Sequence, residues 1–261
     1  MNVPIALSVA GSDPSGGAGI QADLKTFAAF EVYGAAVLTC CTAQNTTGVF
    51  ATGELPVDLV ASQLDAVLDD LAVGAIKTGM LGRAAIVDVV AERLARRAIP
   101  LVVDPVMVAT SGDLLLTADG VAALRERLLP LARVVTPNLA EAAVLARRDV
   151  HTLADMREAA RCIRDLGPRA VLVKGGHLAG AACDVLLDGD DLHELATERV
   201  EAGPLHGSGC TLSAAICAGL ARGDALPDAV AAAKRFVHEA IRGALTVGSG
   251  ARPLDHRVRV R

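Results

Sequence analysis

The chain has 261 residues, of which 52% are hydrophobic and 21% charged, a composition that excludes a disordered chain and supplies core for one large α/β domain or two small ones. Its net charge of −5, from 30 acids and 25 bases, offers no broad basic face for nucleic acid, and 2% aromatics without Trp removes a base-stacking platform. Cys40, Cys41, Cys162, Cys183, Cys210 and Cys217 show no CxxC spacing and lie mostly in apolar runs, which predicts buried thiols in a reducing compartment rather than a disulfide frame or zinc site. With no secretory pattern at the start and no apolar run of membrane-spanning length, the expectation is a soluble cytoplasmic protein. Arg is used in preference to Lys, and the only lysines are Lys25, Lys77, Lys174 and Lys234. A retained lysine supplies a compact point charge that arginine does not.

Taken in order, strand-like and helix-like segments alternate. Val3–Ala10 is apolar and ends in the glycine-rich stretch Gly11–Gly19, after which Ile20, Leu24, Phe27 and Phe30 recur at helical spacing. The stretch fits neither GxGxxG nor GxxxxGK[ST], so dinucleotide and P-loop assignments fail on spacing. Gly34–Cys41 reads as a buried strand running into a polar loop at 42–48, and Leu55–Leu71 as an amphipathic helix. Val73–Ile76 is a strand ending in Lys77-Thr78-Gly79-Met80, Ala84–Arg97 a helix, and Pro100–Val103 a strand ending in Asp104-Pro105-Val106-Met107. Thr110-Ser111-Gly112 follows, then a helix over Thr117–Leu129 closed by Pro130. Arg133–Val135 is a strand, and Thr136-Pro137-Asn138 caps a helix carrying Glu141 in its first turn. Thr152–Leu166 is helical, Ala170–Val173 a strand, and Lys174-Gly175-Gly176-His177 follows. Cys183–Leu187 with the turn Asp188–Asp191 predicts an antiparallel edge hairpin. Gly207-Ser208-Gly209-Cys210 opens the small-residue helix Ser213–Leu220, Asp228–Leu245 is a last helix, and the Arg-rich tail Pro253–Arg261 is expected at the surface. No repeat or linker interrupts the chain, which predicts one domain over 1–261.

Short apolar strands alternating with helices predict a mostly parallel sheet covered on both faces, with ligands at the carboxyl ends of the strands. Asp13, Gln44, Lys77, Asp104, Asn138, Lys174 and the Gly207–Cys210 turn all fall at that end. Each has a structural reading beside the chemical one. Gly207–Cys210 is a glycine turn entering a buried helix, or an anion site of free amides at a helix N-terminus whose field also favours a Cys210 thiolate. Asp104 is a turn former before Pro105, or a carboxylate holding Mg²⁺ through waters. Asn138 and Glu141 form a helix cap, or together orient a metal's hydration shell and phosphates. Lys174 pairs with an acid, or contacts nucleotide phosphate. Gln44 satisfies backbone groups, or pairs two-point with a ring nitrogen and its neighbouring amine. His177 and His206 are turn residues or ligands.

In order along the chain, Ala10–Asp23, Ala43-Gln44-Asn45-Thr46, Lys77–Leu81, Asp104-Pro105-Val106-Met107, Thr136–Glu141, Lys174-Gly175-Gly176-His177 and His206–Ser213 resemble the motifs of the hydroxymethylpyrimidine/phosphomethylpyrimidine kinases of thiamine synthesis. The resemblance spans nearly the whole chain. It implies a ribokinase-like three-layer α/β/α sandwich with a mostly parallel sheet and a small edge hairpin or flap, a homodimer, and use of ATP and Mg²⁺ on a small aminopyrimidine, with no nucleic-acid or membrane partner. By the same resemblance Cys210 is the catalytic base, Gly207, Ser208, Gly209 and Cys210 form the anion hole, and Lys174 stabilises the transferring phosphate. Asp23 and Gln44 bond the pyrimidine, whose wall includes Gly11, Met80 and Val106. Asn138, Lys174 and Gly209 meet ATP, and Asp104 and Glu141 attend the metal. Ser208 stands where the family commonly has Thr, Thr42 where it often has Val, and the Arg-rich tail departs from the usual ending. Two rival functions are a pyridoxal kinase of the same fold, disfavoured by Gln44 and Met80, and a non-catalytic pyrimidine sensor, disfavoured by the joint presence of Cys210, Lys174 and Asp104.

Overall fold

The computed structural model describes residues 3–108, 112, 114–176, 178 and 182–258. Its elements, in chain order, begin with β1 (Ile5–Ser12), α1 (Gly19–Ala29), β2 (Tyr33–Asn45), β3 (Gly48–Glu54), α2 (Val57–Asp70), β4 (Ala75–Thr78), α3 (Ala84–Leu94) and β5 (Leu101–Val103). They continue with α4 (Ala118–Ala123), β6 (Val134–Val135), α5 (Leu139–Ala146), α6 (Leu153–Arg164), β7 (Ala170–Val173), β8 (Ala182–Asp188) and β9 (Asp191–Thr197). Last come β10 (Leu205–His206), α7 (Ser208–Ala221), α8 (Leu226–Arg242) and β11 (Arg252–Pro253). Among the described residues, nine strands form one sheet in the order β3-β2-β1-β4-β5-β6-β7-β8-β9. The six from β2 to β7 in that order run parallel, and β3, β8 and β9 are antiparallel additions at the two edges.

Alternation along each strand sends neighbouring side chains to opposite faces, and here both faces are apolar. Leu7, Ile76, Val103, Val135 and Val171 join one core with Leu64 of α2, Val90 of α3, Leu145 of α5 and Met156 of α6. Ala6, Ala75, Val102, Val134 and Leu172 join the other with Phe27 of α1, Ile216 of α7 and Phe236 of α8. The result is the expected three-layer sandwich. Helix α7 is buried on nearly every side, and its small residues permit this: a Cβ on Gly219 would lie 2.8 Å from the Ala229 Cβ of α8.

Three local expectations are corrected. Strand β2 continues to Asn45 instead of ending at Cys41, so Gln44 stands on a strand and not in a loop. The chain then turns back, with Asn45 Oδ1 accepting from the Thr47 amide at 2.8 Å, into β3, whose exposed faces carry no apolar alternation to announce it. The helix expected over Thr117–Leu129 is α-helical only to Ala123, then widens to a π turn at Leu124–Leu128 and tightens to a 3₁₀ turn at Leu129–Leu131 around Pro130. The tail is not all surface: Pro253, Leu254 and His256 are buried, because β11 pairs parallel with β10 and Asp255 N bonds Ala240 O. The β8–β9 hairpin matches its prediction.

Candidate active site

Two glycine loops interlock at the carboxyl ends of the central strands. In the loop after β1, Asp13 accepts at Oδ1 from the Ser15 amide (2.9 Å) and hydroxyl (2.7 Å), and at Oδ2 from the amides of Gly17 (3.1 Å) and Ala18 (2.8 Å). His206 Nε2 lies 2.8 Å from the same Oδ2. Burial works to raise the Asp13 pKa, but the His206, Ser15 and Ala18 bonds outweigh it and hold the carboxyl at about 2. Lys25 Nζ ties the loop down by donating to Gly16 O at 2.7 Å. Gly207 enters α7 at φ 85°, and a Cβ there would lie 1.8 Å from Gly17 O, so only glycine lets the loops touch.

The N-terminus of α7 is open. Its first intrahelical bond is Thr211 N to Gly207 O, 2.9 Å, and no side chain caps the turn. The amides of Ser208, Gly209 and Cys210 therefore lie ahead of the ladder with the helix dipole behind them, an arrangement suited to an anion. Thr211 Oγ1 also donates to Gly207 O (2.9 Å) and lies 2.9 Å from His256 Nε2, so the buried tail braces this turn. Burial, chiefly, lowers the His256 pKa to about 4, so the ring is neutral at physiological pH.

Charged groups line the floor. Lys174 Nζ donates to Asp104 Oδ1 at 3.0 Å, Ser213 Oγ to Oδ2 at 3.0 Å, and Thr136 Oγ1 to Oδ1 at 3.3 Å. A Cβ on Gly209 would lie 3.1 Å from Lys174 Nζ and 4.0 Å from Asp104 Oδ2, which sets this pair directly against the open helix end. Burial opposes ionisation of Asp104, but Lys174 and Lys77 prevail and lower its pKa. Asn138 and Glu141 form a reciprocal capping box, Asn138 N to Oε2 at 2.8 Å and Glu141 N to Oδ1 at 2.9 Å. Glu141 is pushed up to about 7, first by burial and then by the Asp104 charge, against the pull of Lys174.

On the opposite flank, Gly11 lies flat against two sulfurs: a Cβ there would be 2.7 Å from Cys40 Sγ and 3.3 Å from Met80 Sδ. Thr39 Oγ1 anchors Met80 through its carbonyl at 2.7 Å, and Val106 is half-buried just past Asp104. Gln44 is half-buried between Thr42 and His206. Asp23 departs from the role its motif implies. It is fully buried on α1, and its oxygens take Lys77 Nζ at 2.9 and 2.8 Å and the Ser8 hydroxyl, which leaves nothing facing outward. The acid's place on the inner helix face decides this.

Cys210 is half-buried in the first turn of α7, but the expectation of a thiolate favoured by the helix field is reversed. Burial pushes the thiol up to about 11; Lys77 and the Gly19 amide pull it down, while Asp104 and Asp23 push it further up. Its charged neighbours are those of the site, not of an aliphatic core.

Gly207, Ser208, Gly209, Cys210, Lys174, Asp104, Asn138 and Glu141 thus come together at one end of the sheet, with Gly11, Met80, Gln44 and Val106 on its flank. His177, Thr110 and Ser111 lie outside the described residues. Sequence reading missed Ser213, the Lys77–Asp23 pair, His256 and the pair Lys234–Asp184. Lys234 Nζ donates to Asp184 Oδ2 at 2.6 Å while Oδ1 accepts the Gly175 amide at 2.9 Å, fixing the loop after Lys174. The scarcity of lysine was the available signal: all four hold a carboxylate or carbonyl around these loops.

Among the described residues no cluster of three or more His, Cys, Asp or Glu makes a metal cage. Mg²⁺ does not need one, since it keeps its waters and is commonly held by one or two carboxylates plus substrate phosphates. Asp104 and Glu141 fit that pattern, because their mutual repulsion is what a divalent cation beside them would relieve.

A family model described as phosphomethylpyrimidine kinase matches residues 13–255. The chain is 55% identical over 256 residues to the hydroxymethylpyrimidine/phosphomethylpyrimidine kinase of Rhizobium meliloti (strain 1021), covering 97% of this chain and 96% of that one. It is 48% identical over 252 residues to the thiamine biosynthesis bifunctional protein ThiED of Geobacter sulfurreducens, covering 96% of this chain and 51% of that longer protein. An ADP complex of Bacillus subtilis pyridoxal kinase superposes with a TM-score of 0.90 at 39% identity over 98% of both chains. The sandwich is the ribokinase-like fold. On its sequence and its architecture together, the chain belongs to the phosphomethylpyrimidine kinase family.

Proposed function

We propose that the chain transfers the terminal phosphoryl group of ATP to the hydroxymethyl oxygen of 4-amino-5-hydroxymethyl-2-methylpyrimidine, and then to the phosphate of that product, giving the diphosphate used in thiamine biosynthesis. The observation that carries this is the open end of α7, where free amides, Cys210 and the Lys174–Asp104 pair converge.

The amides of Ser208, Gly209 and Cys210 hold the phosphoryl oxygens, and Lys174 balances their charge as the bond to ADP breaks. The sulfur of Cys210, as thiolate, takes the hydroxymethyl proton while that oxygen bonds to phosphorus. Asn138 and Gly209 orient the nucleotide. Asp104 and Glu141 would hold Mg²⁺, which when bound would supply neutralisation of phosphate charge. Gln44 pairs with the ring nitrogen and amine, and Gly11, Met80 and Val106 wall the ring. Asp23 serves through Lys77 rather than by touching the ring. The enzyme works as a single domain over 1–261, as a cytoplasmic homodimer; its mass in solution checks the last point.

Cys210→Ala should lower kcat by about 10²-fold or more while pyrimidine binding persists. Wild-type-like kcat in that variant removes sulfur from the proton transfer. Incubation with ATP–Mg²⁺ and the hydroxymethylpyrimidine, with products resolved by mass, tests both phosphorylations. The likeness to a pyridoxal kinase supports a second reading, pyridoxal phosphorylation, which relative kcat/KM values decide. ADP release in a coupled assay excludes a sensor.

A further inference from the structure

Gln44 is shaped to read a ring in either of two senses, because its amide oxygen and nitrogen exchange places on a half-turn. Its nitrogen lies 3.2 Å from His206 Nε2 and its oxygen 3.2 Å from Thr42 Oγ1. The neighbours decide which sense is stable. His206 Nε2 is 2.8 Å from Asp13 Oδ2. That carboxyl is anionic and can only accept, so Nε2 must carry the proton and has no lone pair for an amide N–H. At the other end the Thr42 hydroxyl gives its proton to Ser12 O at 2.8 Å and meets Gln44 with a lone pair. Both ends ask for the same half-turn: carbonyl toward His206, whose one N–H bonds Asp13 Oδ2 at 2.8 Å and is shared with the amide at 3.2 Å, and NH₂ toward Thr42.

We propose that His206, oriented by Asp13, is a positioning residue that fixes the sense of the Gln44 amide and so selects the pose in which the substrate's alcohol reaches the anion hole. This rests on the reading of Gln44 as the group that pairs with the aminopyrimidine. In the fixed sense, Gln44 keeps one carbonyl lone pair on the His206 side and one N–H on the Thr42 side. A ring nitrogen takes the N–H and its neighbouring amine gives to the carbonyl. The hydroxymethyl group sits beyond the amine, on the side away from that ring nitrogen. The row therefore runs ring nitrogen, amine, alcohol from Thr42 toward His206, and His206 is followed directly by Gly207 and the anion hole. The opposite sense would set two N–H groups against each other at His206 and send the alcohol toward Ser12.

The test compares His206→Phe, His206→Asn and His206→Gln with wild type, by steady-state kinetics in both substrates and by thermal melting. Glutamine places an N–H near the position of Nε2, asparagine does not, and phenylalanine has none. KM for the hydroxymethylpyrimidine should rise about tenfold or more in the Phe and Asn variants and recover most of the way in the Gln variant, as expected for loss and return of one buried hydrogen bond, with KM for ATP moving far less. Equal KM effects in all three variants, or pyrimidine and ATP constants moving together, would overturn the positioning role, as would KM following melting temperature alone. Failure of the wild-type protein to phosphorylate the hydroxymethylpyrimidine would instead overturn the reading beneath it.

Discussion

Cys210 joins two demands that its surroundings set against each other. As the proposed base it must meet the substrate's alcohol at the half-buried entry to α7, and the same burial pushes its thiol up to about 11. Below that pKa the thiolate fraction grows with pH, so a base acting from the free enzyme gives kcat/KM that rises with pH, about tenfold per unit. The range from 8 to 10 isolates this limb, because Glu141, at about 7, is already ionised there. A flat wild-type profile across that range would count against proton transfer to sulfur, and Cys210→Ala should lack the slope. The identity of these residues was legible in the sequence because Cys210, Lys174 and Asp104 each follow an apolar run at the same end of a strand or open a helix. Their ionisation was not, since thiol chemistry depends on burial and on Asp104 and Asp23, which are remote in sequence. Asp23 teaches the same point: its motif is visible, but its partner Lys77 lies 54 positions away.

At the scale of elements, the contact between the β1–α1 loop and the entry to α7 sets the site. Gly207→Ala places a methyl group into Gly17 O and strains a left-handed residue. It should cost about 3 kcal/mol or more, read from urea midpoints, and should abolish ATP binding in whatever fraction folds. A variant of normal stability and affinity would mean that the loops separate freely. The two glycine stretches were recognisable from sequence as ligand-facing turns. Their interlock was not, because nothing local predicts that residues 17 and 207 touch. Strand β3 and the buried tail were missed for a related reason: Gly48–Glu54 is exposed on both faces, and Pro253 and His256 are buried by partners far back in the chain.

Across the whole molecule, the six parallel strands were written plainly in apolar runs, and both cores follow from them. What composition only hinted at is a division of labour among cations. Among the described residues no arginine is buried as a whole, while Lys77, Lys174 and Lys234 each face a buried carboxylate. Lys234→Met leaves Asp184 charged and buried, and should lower stability by about 3 kcal/mol in urea unfolding; adding Asp184→Asn should restore part of it. A loss below about 0.5 kcal/mol in the single variant would mean that solvent reaches the pair. The fourth lysine has a different consequence. Lys25 is exposed, yet its amine clasps the Gly16 carbonyl. Acylating reagents, natural or synthetic, would meet one open lysine on this protein, and by neutralising it they would loosen the very bend that seats His206.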